Sequence, residues 1–283
     1  MGRASSHRIC GLRTSMAALA LILAAPGAAL AADMPDFLRG SYSPSYGRWD
    51  GFYAGGHFGG SAMSNNFGEA TRDELAFILR NTTLEDQFSP SNWTVLGSSS
   101  TNSLHYGGFF GYNWQWDQLV LGVDVGYTHM SSMANSANET IARTVTTTDH
   151  IQHNVTITAQ SSIKLIDYAA VRGRAAYAFG QFLPYATLGF AVGRFNYSNT
   201  VALSDAQTDV TTPPGTFLGT FVDSASDARD NTFQMGFVGG LGMDMQLMPN
   251  LFLRAEWELV DFWKVGGILT TVNSGRVGVG ARF

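Results

Sequence analysis

Gly275-Arg-Val-Gly-Val-Gly-Ala-Arg-Phe283 ends the chain and alternates strictly. Val277, Val279, Ala281 and Phe283 fall on one strand face, and Arg276, Gly278, Gly280 and Arg282 on the other. A period of two means a strand between two different environments. One environment is apolar and the other holds arginine and bare backbone. Ends of soluble domains tend to fray. A closed barrel readily uses its final segment, because the last strand must pair with the first. The ending therefore predicts a barrel and leaves open which solvent the apolar face meets.

The opposite end bears on that solvent. Arg3, Arg8 and Arg13 precede the apolar run Met16-Ala-Ala-Leu-Ala-Leu-Ile-Leu-Ala-Ala25, and Ala29-Leu30-Ala31 follows. Charged start, apolar middle and small-residue end are the parts of a secretory signal peptide. The run is shorter than the about 20 residues a spanning helix needs. Cleavage is expected after Ala31, with Ala32 the next choice. Cys10 is the single cysteine and leaves with the signal, so neither a disulfide nor a thiol nucleophile is expected after export.

Three of the 17 Lys and Arg lie in residues 1–31, so the remainder carries 14 bases against 22 acids, a net charge of −8. Nucleic acid is not an expected partner, since it needs a basic footprint. Charged residues are 14% of the chain, below the roughly 25% of soluble domains. Glycine reaches 32 residues and aromatics 12%, a composition suited to a membrane barrel. No apolar run after the signal is long enough for a spanning helix, so a membrane location requires a closed barrel.

Residues 32–48 read as a flexible leader. Strands are predicted over 51–62, 104–114, 119–130, 163–178, 182–197, 232–246, 251–262 and 275–283. The third is the clearest, with Leu119, Leu121, Val123, Val125 and Tyr127 opposed to Gly122, Asp124 and Gly126. Short turns are predicted at 115–118, 179–181 and 247–250. Long loops are predicted at 63–103, 131–162 and 198–231, with a shorter connection near 263–273. Short turns at one end and long loops at the other are the asymmetry of transmembrane barrels. A soluble lipocalin-like barrel also alternates, but it would set charges outside and apolar residues within. The small, Gly-rich polar faces suit a cramped interior better. The expected fold class is all-β, an eight-stranded antiparallel transmembrane up-and-down barrel over 49–283, with both mature termini on the short-turn side.

Five stretches carry a family resemblance. Trp49-Asp-Gly-Phe-Tyr-Ala-Gly-Gly56, Gly107-Gly-Phe-Phe-Gly-Tyr-Asn-Trp-Gln115, Val171-Arg-Gly-Arg-Ala-Ala-Tyr177, Leu183-Pro-Tyr-Ala-Thr-Leu-Gly-Phe190 and Leu253-Arg-Ala-Glu-Trp257 resemble the small eight-stranded outer-membrane barrels of Gram-negative bacteria. These are the OmpA-like and porin-family proteins, including outer membrane immunogenic types. The resemblance implies a bacterial outer-membrane location, with outer-membrane lipids and the barrel-assembly machinery as partners. That machinery would read the last strand through Val277, Val279 and Phe283. Members usually carry a bulky aromatic two residues before the final Phe, where this chain has Ala281. The peptidoglycan-binding module of longer relatives is not expected here. Loops usually carry specific function in this family, so host or surface ligands remain an open expectation for them.

The polar faces supply Asp124, Asp244, Glu256 and Glu258 against Arg172, Arg174, Arg254, Arg276 and Arg282. An eight-stranded barrel is about filled by its own side chains, and an unpaired buried charge is costly. An interior ion-pair network plugging the barrel is therefore expected, and a narrow pore gated by the same pairs is the alternative. His129 and Ser131 faintly resemble the His-x-Ser of lipid A deacylases, but Ser132 stands where Asn is expected, and a chance pair is favoured. Asp149-His-Ile-Gln-His153 suggests a metal or haem, but residues three apart on a strand face opposite ways. A Thr-rich hairpin around 144–158 is the preferred reading. Thr71-Arg-Asp-Glu74 reads as a capping box before a short helix. No cofactor, metal or catalytic residue is expected, and the bet is a structural envelope protein displaying three long loops.

Overall fold

The structure, a computed structural model, describes residues 48–283. The expected signal peptide and residues 32–47 of the leader lie outside the described residues. Eight strands follow in order: β1 (Gly51–Asn66), β2 (Ser98–Trp116), β3 (Leu119–Thr146), β4 (Ile151–Tyr177), β5 (Phe182–Asp209), β6 (Thr216–Met248), β7 (Leu251–Val265) and β8 (Ile268–Arg282). Each pairs antiparallel with its neighbours, and β1 closes on β8 from Tyr53↔Arg282 to Asn66↔Leu269. The faces fall as the ending requires. Val277 and Val279 are each 47% exposed and Phe283 81%, while Arg276 and Arg282 are buried. Charges inside and apolar residues outside are opposite to a lipocalin.

The long-loop expectation is corrected for two of its three segments. β3 and β4 run on to a turn at 147–150, and β5 and β6 to a turn at 210–215. β6 reaches 33 residues, against the about 9–11 needed to span a bilayer. Residues expected as loops at 131–162 and 198–231 are thus mostly extended sheet. β-branched runs such as Val155-Thr-Ile-Thr158 favour that conformation. The connection near 263–273 shrinks to Gly266-Gly267, whose φ values of +54° and +76° suit a tight hairpin. A Cβ on Gly267 would sit 2.4 Å from the Glu69 carbonyl oxygen. Gly267→Ala is expected to cost about 1–3 kcal/mol, seen as a lower urea midpoint in lipid vesicles; an unchanged midpoint would refute the strain argument.

Besides two near strand ends, between Gln207 and Thr208 and between Gln246 and Met248, the register irregularities lie near the level where the extensions begin. They fall between His129 and Met133 in β3, Leu165 and Asp167 in β4, Phe195 and Tyr197 in β5, and Phe262 and Val265 in β7. Bulges are common at barrel rims. Below this rim, β4 turns Ala169, Val171, Ala175 and Tyr177 outward and Arg172 and Arg174 inward. Above it, Val155, Ile157, Ala159, Ile163 and Leu165 point inward and Asn154, Thr158 and Gln160 outward. One unpaired residue, Ile166, swaps the faces. Val155, Ile157, Ile163, Leu165, Val171 and Tyr177 all hold odd positions, but these meet lipid below the rim and an internal core above it. The outward-facing Asp167, bridged by Arg194 and accepting from Tyr127 Oη at 3.0 Å, marks the rim on the outer surface.

Only the first predicted loop remains a true excursion, at 67–97, and it folds into the mouth. It carries α1 (Arg72–Ile78), α2 (Thr83–Phe88) and a 3-10 turn (Pro90–Asn92). Leu75, Ile78, Leu79 and Leu84 join Ile157, Phe195, Leu203, Phe262 and Val272 in one apolar cluster. The expected capping box does not form: Thr71 has φ −112° and ψ 15° and caps nothing with its side chain. That backbone is not extended, as a capping residue requires. Thr82, which is extended, caps α2 by accepting from Glu85 N at 3.2 Å.

Candidate functional site

The barrel interior below the rim is the candidate site, and it is built around Arg172. This guanidinium reaches Glu256 and Glu258 through Nη1 at 2.5 Å each and Asp124 through Nη2. Arg254 bridges Asp124 at 3.2 Å and Asp244 at 2.9 Å, and Arg174 reaches Asp244 at 2.5 Å. Arg276 reaches Glu258 at 2.6 Å and also contacts Glu256. Four arginines thus face four carboxylates. β4 supplies two of the cations and β7 two of the acids, because their polar residues sit at alternate positions facing inward.

Three tyrosines that the sequence reading passed over complete the network. Tyr53 donates to Asp124 at 2.9 Å, Tyr185 to Glu256 at 2.6 Å and Tyr168 to Glu258 at 2.6 Å. A Cβ at Gly111 would lie 2.3 Å from Tyr53 Oη, and one at Gly242 2.4 Å from Tyr185 Oη. The two glycines are slots for the rings, a close approach that only a missing side chain permits. Arg174 lies 3.8 Å over the Tyr185 ring, and Arg254 4.0 Å over Phe109. Placing Tyr53, Tyr168 and Tyr185 on inward positions of their strands would have found them.

Of the nine expected interior charges, Arg282 is the one that the structure keeps apart. Its guanidinium donates to the carbonyls of Arg48 at 2.5 Å and Pro249 at 2.6 Å and lies 4.5 Å over Trp49. Pairing of Arg282 with interior acids is therefore corrected. It sits at the end of β8, makes no ion pair among the described residues, and closes the short-turn end of the barrel. Between the ionic layer and the apolar core lies a thin polar layer. His57 Nε2 is 3.3 Å from Thr128 Oγ1, and His105 Nδ1 is 2.7 Å from Ser61 Oγ.

The remaining sequence candidates are dispersed. His129 packs its ring 5.3 Å from Tyr106, and among the described residues no hydrogen bond links it to Ser131. Both lie at the register irregularity between His129 and Met133. Asp149 accepts from Thr147, and His153 instead meets Asp205 at 2.6 Å. Among the described residues no group of three or more His, Cys, Asp or Glu is placed to hold a metal ion. No helix among them is long and apolar enough to cross a membrane, which says nothing of strands.

A closed antiparallel barrel with an apolar exterior and ionic interior defines an outer-membrane class of protein. The family model described as "Outer membrane protein beta-barrel domain" matches residues 16–283, and the chain belongs to that family. It is a protein of the bacterial outer membrane. A 22 kDa outer membrane protein of Rhizobium leguminosarum bv. viciae is 23% identical over 249 residues, covering 84% of this chain and 79% of that one. Among solved structures it is similar to OprG of Pseudomonas aeruginosa, with 12% identity, TM-score 0.38 and coverage of 84% and 98%. It is likewise similar to Ail of Yersinia pestis, with 12% identity, TM-score 0.35 and coverage of 82% and 99%.

Proposed function

We propose that this barrel is a closed structural element of the envelope, without catalytic or transport chemistry, that holds a rigid sheet above the membrane. The observation that carries this reading is the layered interior. A neutral ion-pair layer lies beneath a contiguous apolar core. Moving a solute through would require breaking desolvated ion pairs and then crossing an apolar core. The narrow-pore alternative explains the ionic layer but gives no role to the apolar one. Refolded protein in planar bilayers is expected to stay electrically silent up to physiological voltages; discrete unitary currents from heat-modifiable, correctly folded protein would overturn the closed reading.

The partners follow from the surfaces. Outer-membrane lipids meet the apolar belt below the rim. Val277, Val279 and Phe283 point outward along β8, where the barrel-assembly machinery would read them.

A further inference from the structure

Above the rim, the outward positions of β3, β4, β5 and β6 share one face. Five rows cross the four strands in register, among them Asn138↔Gln160↔Thr200↔Ser226 and Thr140↔Thr158↔Ala202↔Ser224. Of these twenty positions twelve are Ser or Thr, three Asn or Gln, four Ala and one Val. None is charged and none is aromatic. Soluble surfaces carry a charge at about one position in four, so about five would be expected. The same segments are not poor in charge. Glu139, Arg143, Asp205, Asp223, Asp227 and Arg229 alternate with these positions and turn to the other side. Cross-strand bonds fix part of the hydroxyl array, with Thr140 Oγ1 3.0 Å from Thr158 Oγ1 and Thr144 Oγ1 donating to Asn154 Oδ1 at 2.6 Å.

One cation stands at the foot of this face. Lys164 is the next outward position on β4 after Ser162, and its cross-strand neighbours are Ala134 and Asn196. It is exposed and makes no ion pair among the described residues. Asp167, nearer the membrane, is already bridged by Arg194. Lys164 is thus uncompensated at the level of the rim, where the apolar belt gives way to the headgroup layer. A cation at that level attracts anionic lipid headgroups.

We propose that this face docks a phosphorylated glycolipid of the surrounding outer leaflet, with a headgroup phosphate on Lys164 and the neutral sugar chain laid along the hydroxyl rows. The docking rests on the upper tier standing outside the membrane, as proposed above, and adds what covers it. Below the rim the same four strands expose Val123, Val171, Phe190 and Phe237 to lipid, so the face continues an existing lipid contact upward. Hydroxyl and amide side chains both donate and accept, as sugar hydroxyls do, directly or through water. Acids outnumber bases in this chain, 22 to 17, and turning them away from this face removes repulsion toward phosphate. A protein partner, a second copy included, fits poorly. With strands about 4.8 Å apart and rows about 6.7 Å apart, the face covers roughly 400 Å², half of the roughly 800 Å² per partner of a stable interface. It also lacks the Trp, Tyr and Arg anchors that dominate such interfaces.

The test is labelling of Asn138→Cys on intact cells with a membrane-impermeant maleimide. Ser64→Cys, outward on β1 and off the face, is the control. Host cells carry either lipopolysaccharide with a full neutral polysaccharide or lipopolysaccharide truncated to its phosphorylated lipid and inner sugars. The full polysaccharide is expected to slow labelling of Asn138→Cys by at least tenfold more than that of Ser64→Cys. Lys164→Glu, which reverses the anchoring charge, and Gln160→Glu, which places a charge on the face, are each expected to remove most of that protection. Polysaccharide released from its lipid and added to the truncated cells is expected to leave labelling unchanged. Equal protection at both cysteines, protection that survives either variant, equal protection by released polysaccharide, or Asn138→Cys disulfide dimers in place of glycan protection would each overturn the proposal. Absence of labelling at both cysteines in truncated cells would instead overturn the placement of the upper tier outside the membrane, and the docking with it. Heat-modifiable migration on gels verifies that each variant is folded before it is scored.

Discussion

Arg172→Met is expected to destabilise the refolded barrel by about 3–5 kcal/mol, the range for removing one partner of a buried ion pair. Arg172 is 2% exposed and contacts three carboxylates from β3 and β7. Without it, Asp124 keeps Arg254 and Glu256 and Glu258 keep Arg276, so the layer carries one surplus negative charge in a site with little water. Equilibrium unfolding in urea in lipid vesicles measures the loss, and a change below about 1 kcal/mol would mean that solvent reaches the layer. Adding Glu258→Gln restores neutrality and is expected to recover part of the loss, a coupling that a double-mutant cycle reads directly. Arg282→Met serves as the contrast. Its partners are two carbonyls and the Trp49 ring, so a loss of roughly 1–2 kcal/mol is expected.

Leu75→Asp is expected to unhinge the upper tier while leaving the membrane tier intact. Leu75 is 1% exposed inside the apolar cluster formed by α1 and the inward faces above the rim. A carboxylate there has no partner, and the penalty is roughly 3 kcal/mol or more. Trypsin then gains access to Arg143, Lys164 and Arg229 in the extensions. Cleavage through transient opening follows the open population, so a rate increase of about a hundredfold is expected. Heat-modifiable migration should persist, because β1–β8 still close below the rim. Simultaneous loss of that migration would show the two tiers to be one cooperative unit, against the prediction.

The membrane half was legible because its physics is local. Each strand there is apolar on one face and polar on the other, and Leu119 to Tyr127 of β3 reads so without any neighbour. The charges of β4, β6, β7 and β8 were legible too, since an inward charge in a narrow barrel needs an opposite one nearby. Which arginine meets which acid was not. Arg282 has the alternation of an interior residue but lies past the last acid on β7. The contributions of Tyr53, Tyr168 and Tyr185 were hidden because an aromatic reads equally well toward lipid.

The extensions show where reading by period stops. Their Thr- and Ser-rich outer faces resemble loops when lipid is taken as the only solvent outside. Their inner faces have an apolar partner only because residues 67–97 fold back over them, and that contact joins segments far apart in sequence.

The sequence by itself determined that this is a barrel of alternating strands, with lipid outside and paired charges within, as the 275–283 ending already indicates. Only the tertiary structure decided where along each strand that arrangement reverses. In β4, Val155, Ile157, Ile163, Leu165 and Val171 all hold odd positions, so their period does not show which face each meets. The single unpaired residue Ile166 rotates the chain by one position against its neighbours. Lipid-facing positions below the rim become core-facing positions above it. Periodicity records that two faces differ, while the cross-strand register determines what each face meets.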